Sequence, residues 1–243
     1  MLNCQKELFS LPDNIHYLNC AYKSPLLKAG ELASIQALQR QRNPGHLTEA
    51  DFFDQSDRIR SLFAELTNST SQNIAIIPST SYGYSSILNN IRGKSNGNAV
   101  TNLHEFPSGY YCLERWCSEN EQQLIVVQKD NQSINANDWN EKIIDAITEN
   151  TSVVLISSIH WMNGYQFDLE AIGRRCREMD TVFIVDGTQS VGALPIDVNQ
   201  SNIDLLVCAS YKWAVFHQQE IASDSCICCH RNHELQSGAG KAG

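Results

Sequence analysis

The chain has 243 residues, 42% of them hydrophobic and 19% charged, with 13 glycines and 6 prolines. That composition supports a substantial folded core and excludes disorder, collagen-like repeats and low complexity. Eighteen basic residues against 27 acidic ones give a net charge of −9, and no basic cluster stands out, which argues against nucleic acid or an anionic membrane as a partner. Two helical patterns come first in the chain. Ser24-Pro25 opens one with Leu32, Ile35 and Leu38 on a face, and Thr48 opens another with Phe52, Ile59, Leu62 and Phe63. From residue 74 onward, short apolar runs at Ile74–Ile77, Ala99–Thr101, Leu124–Val127, Val153–Ser157, Val182–Val185 and Leu205–Ala209 read as strands. Helical spacing fills the gaps at Ser81–Ile91, Ser108–Cys117, Trp139–Ile147 and Asp168–Glu178, with a shorter candidate at Thr188–Gly192. Asp168 precedes the stripe Leu169, Ile172 and Cys176, as an N-cap does.

This alternation predicts an α/β fold with a mostly parallel sheet flanked by helices. Residues 1–70 form a helical segment beside it, 71–215 the sheet domain, and 216–243 an atypical tail. The amino terminus lacks a basic segment followed by an apolar one, and no stretch approaches the roughly 18 apolar residues of a membrane span. A cytoplasmic location is the expectation, with the 9 cysteines as reduced thiols, most of them inside apolar runs.

Ligands of a parallel sheet bind beyond the carboxyl ends of its strands. After Ile77 come Ser79, Thr80 and Ser81, hydroxyls at a helix start that could seat a phosphate, though such residues also serve as ordinary caps. After Thr101 come His104, Glu105 and Phe106; after Ser157 come His160, Trp161 and Asn163. These aromatic, imidazole and amide groups suit a flat polar ring, while each taken alone suits a core position equally. Asp186 ends the apolar run Val182–Val185, where its charge needs a partner; Gln189 follows it. Ser210, Tyr211 and Lys212 follow Leu205–Ala209, and burial there would free the lysine amine for imine formation, whereas a surface lysine would merely extend into water. Together these parts fit pyridoxal 5′-phosphate: a phosphate seat, a stacking ring, an acid for the pyridine nitrogen and an imine-forming lysine.

The ordered series Tyr17-Leu18-Asn19-Cys20-Ala21, Ser79-Thr80-Ser81, Glu105-Phe106-Pro107-Ser108, His160-Trp161-Met162-Asn163-Gly164, Asp186-Gly187-Thr188-Gln189-Ser190-Val191-Gly192 with Pro195-Ile196-Asp197, and Ser210-Tyr211-Lys212-Trp213 closely resembles class V aminotransferase-fold, fold-type I pyridoxal-phosphate enzymes. That group includes cysteine desulfurases, selenocysteine lyases, kynureninases and isopenicillin N epimerase-like proteins. The resemblance implies Lys212 as the imine lysine and Asp186 as partner of the pyridine nitrogen. It places Asn163 and Gln189 near the phenolic oxygen, and Ser79, Thr80, Ser81, Ser210 and Tyr211 around the phosphate. Phe106 matches the ring-stacking position that is His in desulfurases, and Phe cannot transfer protons. The order Ser-Tyr-Lys is more similar to kynureninase than to desulfurase. A homodimer acting on a small amino-acid substrate, by lyase, desulfurase or aminotransferase chemistry, is what the resemblance implies; a kynureninase-like hydrolase and a non-catalytic fragment are the alternatives.

Past Trp213 the chain departs from the family, whose members continue through Gly-Pro-x-Gly-x-Gly into a small carboxy-terminal domain. The expectation is therefore a truncated or frame-shifted end, with Cys226–Cys229 a ragged edge strand. Cys226, Cys228, Cys229, His230 and His233 crowd together there, but their spacing lacks the paired separation of zinc ligands, so no metal is expected.

Overall fold

The structure, a computed structural model, describes residues 4–130, 132 and 137–214, and the backbone of strand 226–230. Two long helices, α1 (Lys28–Arg40) and α2 (Ala50–Thr67), precede a seven-stranded sheet. Its strands are β1 (Ile74–Ile77), β2 (Asn98–Asn102), β3 (Gln123–Val127), β4 (Thr151–Ser157), β5 (Val182–Asp186), β6 (Leu205–Ala209) and β7 (Cys226–His230). Between them lie α3 (Thr80–Leu88), α4 (Pro107–Glu119), α5 (Asp138–Ala146) and α6 (Leu169–Glu178). The spatial order is β1-β7-β6-β5-β4-β2-β3; β7 runs antiparallel to both neighbours, and the paired strands from β3 through β6 are parallel.

Burial explains the sequence pattern. Every residue of β4 and of β6 is buried, because helices cover both faces of a parallel sheet and leave no polar side. Successive β4 residues point to opposite layers. Val153 and Leu155 pack with Tyr84 and Leu88 of α3 and Leu113 and Trp116 of α4, whereas Val154 and Ile156 pack with Ile143 of α5 and Ile172 of α6. Asp168 caps α6 as expected, its Oδ1 accepting from Ala171 N at 3.0 Å.

Four local expectations are corrected. Thr188–Gly192 is not helical: Ser190 N and Val191 N both donate to Gly187 O, and Gly192 then turns the chain with φ +91°, a left-handed conformation that ends helical propagation. The first helix begins at Lys28, three residues beyond Ser24-Pro25. Its buried face is Gly30 and Ala37, and the apolar stripe Leu32, Ile35 and Leu38 points outward, with Leu38 67% exposed. Finally, Cys226–His230 is no edge strand. It lies inside the sheet between β1 and β6, and supplies the pairing that joins β1 to the other strands. The side chains of Cys226, Cys228, Cys229, His230 and His233 lie outside the described residues.

Candidate active site

The carboxyl ends of β4, β5 and β6 stand side by side: Ser157 pairs with Asp186, and Asp186 with Val207. β2 leads outward to β3 while β4 begins on its other side, so the order reverses between β2 and β4, the position where open α/β sheets form a crevice. A small cavity occupies this edge. Phe106 follows β2, Ser157 ends β4, Asp186 ends β5, and Lys212 follows β6; all four line it, together with Thr80 at the start of α3. A more open space of about 1070 Å³ adjoins it, sharing Phe106, Trp161, Gln189, Tyr211 and Lys212 and adding Asn19, Ala21, Tyr22 and Lys23 from the amino-terminal loop.

Asp186 is 5% exposed, and a carboxylate so far from water needs donors. Tyr84 Oη donates to Oδ2 at 2.6 Å and Thr188 N to Oδ1 at 2.8 Å. The Thr188 hydroxyl accepts from Ala209 N at 3.0 Å, tying the turn after β5 to the end of β6. Lys212, 7% exposed, is the cation facing this acid. Burial pushes its amine below the usual lysine range, and Asp186 opposes that shift by favouring the charged form. Its Nζ lies 5.8 Å from the Phe106 ring centroid and 5.9 Å from that of Tyr211, so aromatic faces take the place of water around it.

Beneath the cavity wall sits Glu105, 4% exposed. Its Oε2 accepts from Ser157 N at 2.6 Å, and its Oε1 accepts from Phe106 N at 2.6 Å and from the Ser157 hydroxyl. Desolvation first, then the charge of Asp186, raises its pKa to about 7, against the opposing pull of those donors.

The predicted residues divide by position. Lys212, Asp186, Phe106, Thr80, Gln189 and Tyr211 share the cavity wall. Ser79 is the N-cap of α3, its hydroxyl accepting from Tyr82 N at 3.1 Å. Ser81 is exposed on the first turn of α3, and Ser210 is buried directly before Tyr211. Asn163 stands apart from the lining residues, its Oδ1 accepting from Tyr165 N at 3.0 Å. Gln189 bridges two segments: Nε2 donates to Ala21 O and Oε1 accepts from Trp213 Nε1, each at 3.0 Å. Ser24 adds N and Oγ bonds to Tyr211 O, both 3.1 Å, so the amino-terminal loop is fastened to the Lys212 segment. Sequence reasoning missed Tyr84 and Ser157 as members of the site, and noted Glu105 only as a landmark. A tyrosine on the apolar face of a helix needs a partner for its hydroxyl, which is the signal that could have found Tyr84.

A second groove of about 1100 Å³ runs between α5, α6 and the segment Leu194–Gln200. No lysine lines it, and two of its buried hydroxyls, Ser158 and Ser190, bond each other at 2.6 Å. Among the described residues no group of three or more His, Cys, Asp or Glu side chains could hold a metal ion.

Comparison with known proteins agrees with this geometry. Over 220 residues the chain is 24% identical to a kynureninase from Pseudomonas fluorescens, covering 86% of this chain and 50% of that protein. A stretch of 67 residues is 45% identical to the cysteine desulfurase IscS of Pectobacterium carotovorum subsp. carotovorum, covering 28% of this chain and 17% of the relative. Among solved structures, a C-DES mutant with glycine covalently linked to the PLP cofactor superposes with a TM-score of 0.83 at 18% identity, covering 96% of this chain and 61% of that one. The apo cysteine desulfurase of Thermococcus onnurineus NA1 gives a TM-score of 0.78 at 16% identity, with 96% and 58% covered. These likenesses show a shared fold, and the chain spans half the length of the kynureninase it matches. The profile of the aminotransferase class-V family matches residues 28–215, a span that includes every strand-end residue of the cavity, and the chain belongs to that family.

Proposed function

We propose that the chain carries the cofactor-binding part of a pyridoxal 5′-phosphate enzyme that acts on an amino acid. One observation carries this reading: a buried lysine with a lowered pKa and a buried carboxylate line the same cavity, with an aromatic ring beside the lysine nitrogen. The donor set fits the cofactor. Lys212 offers an amine to the aldehyde, Asp186 a carboxylate to the ring nitrogen, Phe106 a stacking face, and Thr80 with the free N–H groups of the α3 start a seat for the phosphate. The family resemblance assigns Ser79, Ser81, Ser210 and Tyr211 to that seat and Gln189 with Asn163 to the phenolic side; of these, Tyr211 and Gln189 line the cavity.

When bound, pyridoxal 5′-phosphate supplies an aldehyde for primary amines and an electron-withdrawing ring that stabilises negative charge at the substrate α-carbon. The chain's own residues then have defined work. Burial lowers the proton affinity of Lys212 Nζ while Asp186 opposes that shift, so the amine can serve as a nucleophile and as a group that takes and returns a proton. Asp186, held by Tyr84 and Thr188, lines the cavity as its carboxylate. Phe106 excludes water and moves no proton, so Lys212 is the assigned acid–base group.

Homodimerisation is part of the proposal. Leu18 is 92% exposed and Tyr22 73%, beside the open cavity, and Leu38 and Phe52 are also exposed, an amount of apolar surface that partner subunits commonly cover. Among the described residues, free thiols at Cys4, Cys20, Cys112, Cys117 and Cys176 support a reducing, cytoplasmic setting.

Absorbance spectroscopy tests the central reading. The chain mixed with pyridoxal 5′-phosphate and then dialysed should retain a visible absorption band, and Lys212→Ala should lose it. Colour that survives dialysis in Lys212→Ala would overturn the assignment.

A further inference from the structure

Two buried carboxylates end neighbouring parts of the sheet edge. Asp186 terminates β5, and Glu105 lies in the turn after β2, reaching beneath Ser157 of β4. Ser157 and Asp186 are paired across β4 and β5, so the two acids share one low-dielectric layer. Their surroundings differ in kind. Asp186 faces a cation, Lys212, and accepts from Tyr84 on α3. Glu105 instead accepts from neutral groups: Ser157 N, Ser157 Oγ and Phe106 N. On its α4 side stands Gly109, where an added Cβ would lie 3.7 Å from Glu105 Cγ and 3.9 Å from Tyr84 Cε2. Among the described residues the charged group acting on Glu105 is Asp186 from β5, with Tyr84 of α3 across Gly109 and His104 preceding it in its own turn. Lys212 acts on Asp186, whereas the named partners of Glu105 include no cation, so burial beside the Asp186 charge favours its protonated form.

We propose that Glu105 is a positioning residue of the cofactor cavity: as a neutral acid it fastens Ser157 and the Phe106 ring into the wall and leaves Asp186 as the negative charge opposite Lys212. The hydrogen bond to Phe106 N fixes the backbone that carries the stacking ring, and the pair of bonds to Ser157 fixes the wall between that ring and Asp186. The elevated pKa of Glu105 agrees with the geometry. What the wall receives rests on the pyridoxal-phosphate reading; the protonation of Glu105 does not.

Two measurements on the full chain test this. The first needs no cofactor: urea midpoints of the wild type and Glu105→Gln are compared from about pH 5 to about pH 8. The wild type should lose stability relative to Glu105→Gln as pH rises through about 7, because ionising Glu105 is what the fold resists. Parallel curves would overturn the neutral-acid state. The second follows tryptophan fluorescence during titration with pyridoxal 5′-phosphate near pH 6. Glu105→Gln, which keeps an acceptor, should bind within about threefold of wild type, and Glu105→Ala roughly tenfold or more weakly. Should Glu105→Ala fail to fold, Ser157→Ala takes its place, with binding weakened by roughly threefold or more because one wall bond is lost. Wild-type affinity in the alanine variants would overturn the positioning role. No binding by the wild type would overturn the cofactor reading and with it the cavity role of Glu105, while the unfolding curves would still decide its protonation.

Discussion

Burying the carboxylate of Asp186 is unfavourable by several kcal/mol unless its oxygens find donors, and Tyr84 supplies one of them from a helix on the adjacent layer. Tyr84→Phe keeps the ring, which is fully buried between α3 and the sheet, and removes only the hydroxyl. We expect this variant to lose about 1–3 kcal/mol of stability in urea unfolding, the usual effect of leaving a buried acceptor without its partner. It should also bind pyridoxal 5′-phosphate more weakly than wild type by fluorescence titration, since Asp186 would no longer be aimed by two donors. An unchanged midpoint would mean that water replaces the hydroxyl. Lys212, Asp186 and Phe106 were legible in the sequence because each sits immediately beyond an apolar run, where a parallel sheet places its ligands. Tyr84 and Glu105 were not, because their importance comes from partners far away in the chain: Asp186 for the first, Ser157 for the second.

Helix and strand identities followed from periodicity wherever an element has one clear buried side. α6 shows this well: Ile172, Gly173 and Cys176 are buried, Asp168 caps the start, and Arg175 and Arg177 occupy the last turn, where cations favour the dipole. The same reasoning misplaced the face of α1, since an apolar stripe signals a contact without saying whether this chain provides it, and here Gly30 and Ala37 make the close approach instead. Close approach also governs α6. A Cβ at Gly173 would overlap Ser201 O, a backbone atom that cannot rotate away. Gly173→Ala must therefore push α6 off the turn that leads into β6. A loss of about 1–3 kcal/mol is expected, read as a lower urea midpoint with little change in slope. A midpoint equal to wild type would show that the turn shifts freely.

The sheet as a whole is closed by its last strand. Among the described residues β1 pairs only with β7, and β7 in turn covers the edge of β6, whose end carries Ser210, Tyr211 and Lys212. Single-strand patterns could not reveal this, because alternation identifies a strand but not its neighbour, and Cys226–Cys229 reads by itself as a ragged edge strand after the rhythm has stopped. The pairing joins segments from distant parts of the chain, so it is formed late and at high loop-closure cost. A chain ending at residue 214 should thus retain α4, β2 to β5 and their helices as a collapsed unit, yet leave β1 without a partner and β6 with an open apolar edge. We expect it to sediment as aggregates, to bind a hydrophobic dye and to unfold over a broad range of urea, with no retained absorbance after mixing with pyridoxal 5′-phosphate and dialysis. A sharp unfolding transition in a monomeric 1–214 chain would show that the parallel strands hold Lys212 and Asp186 in place by themselves, and that β7 stabilises the sheet without shaping the cavity.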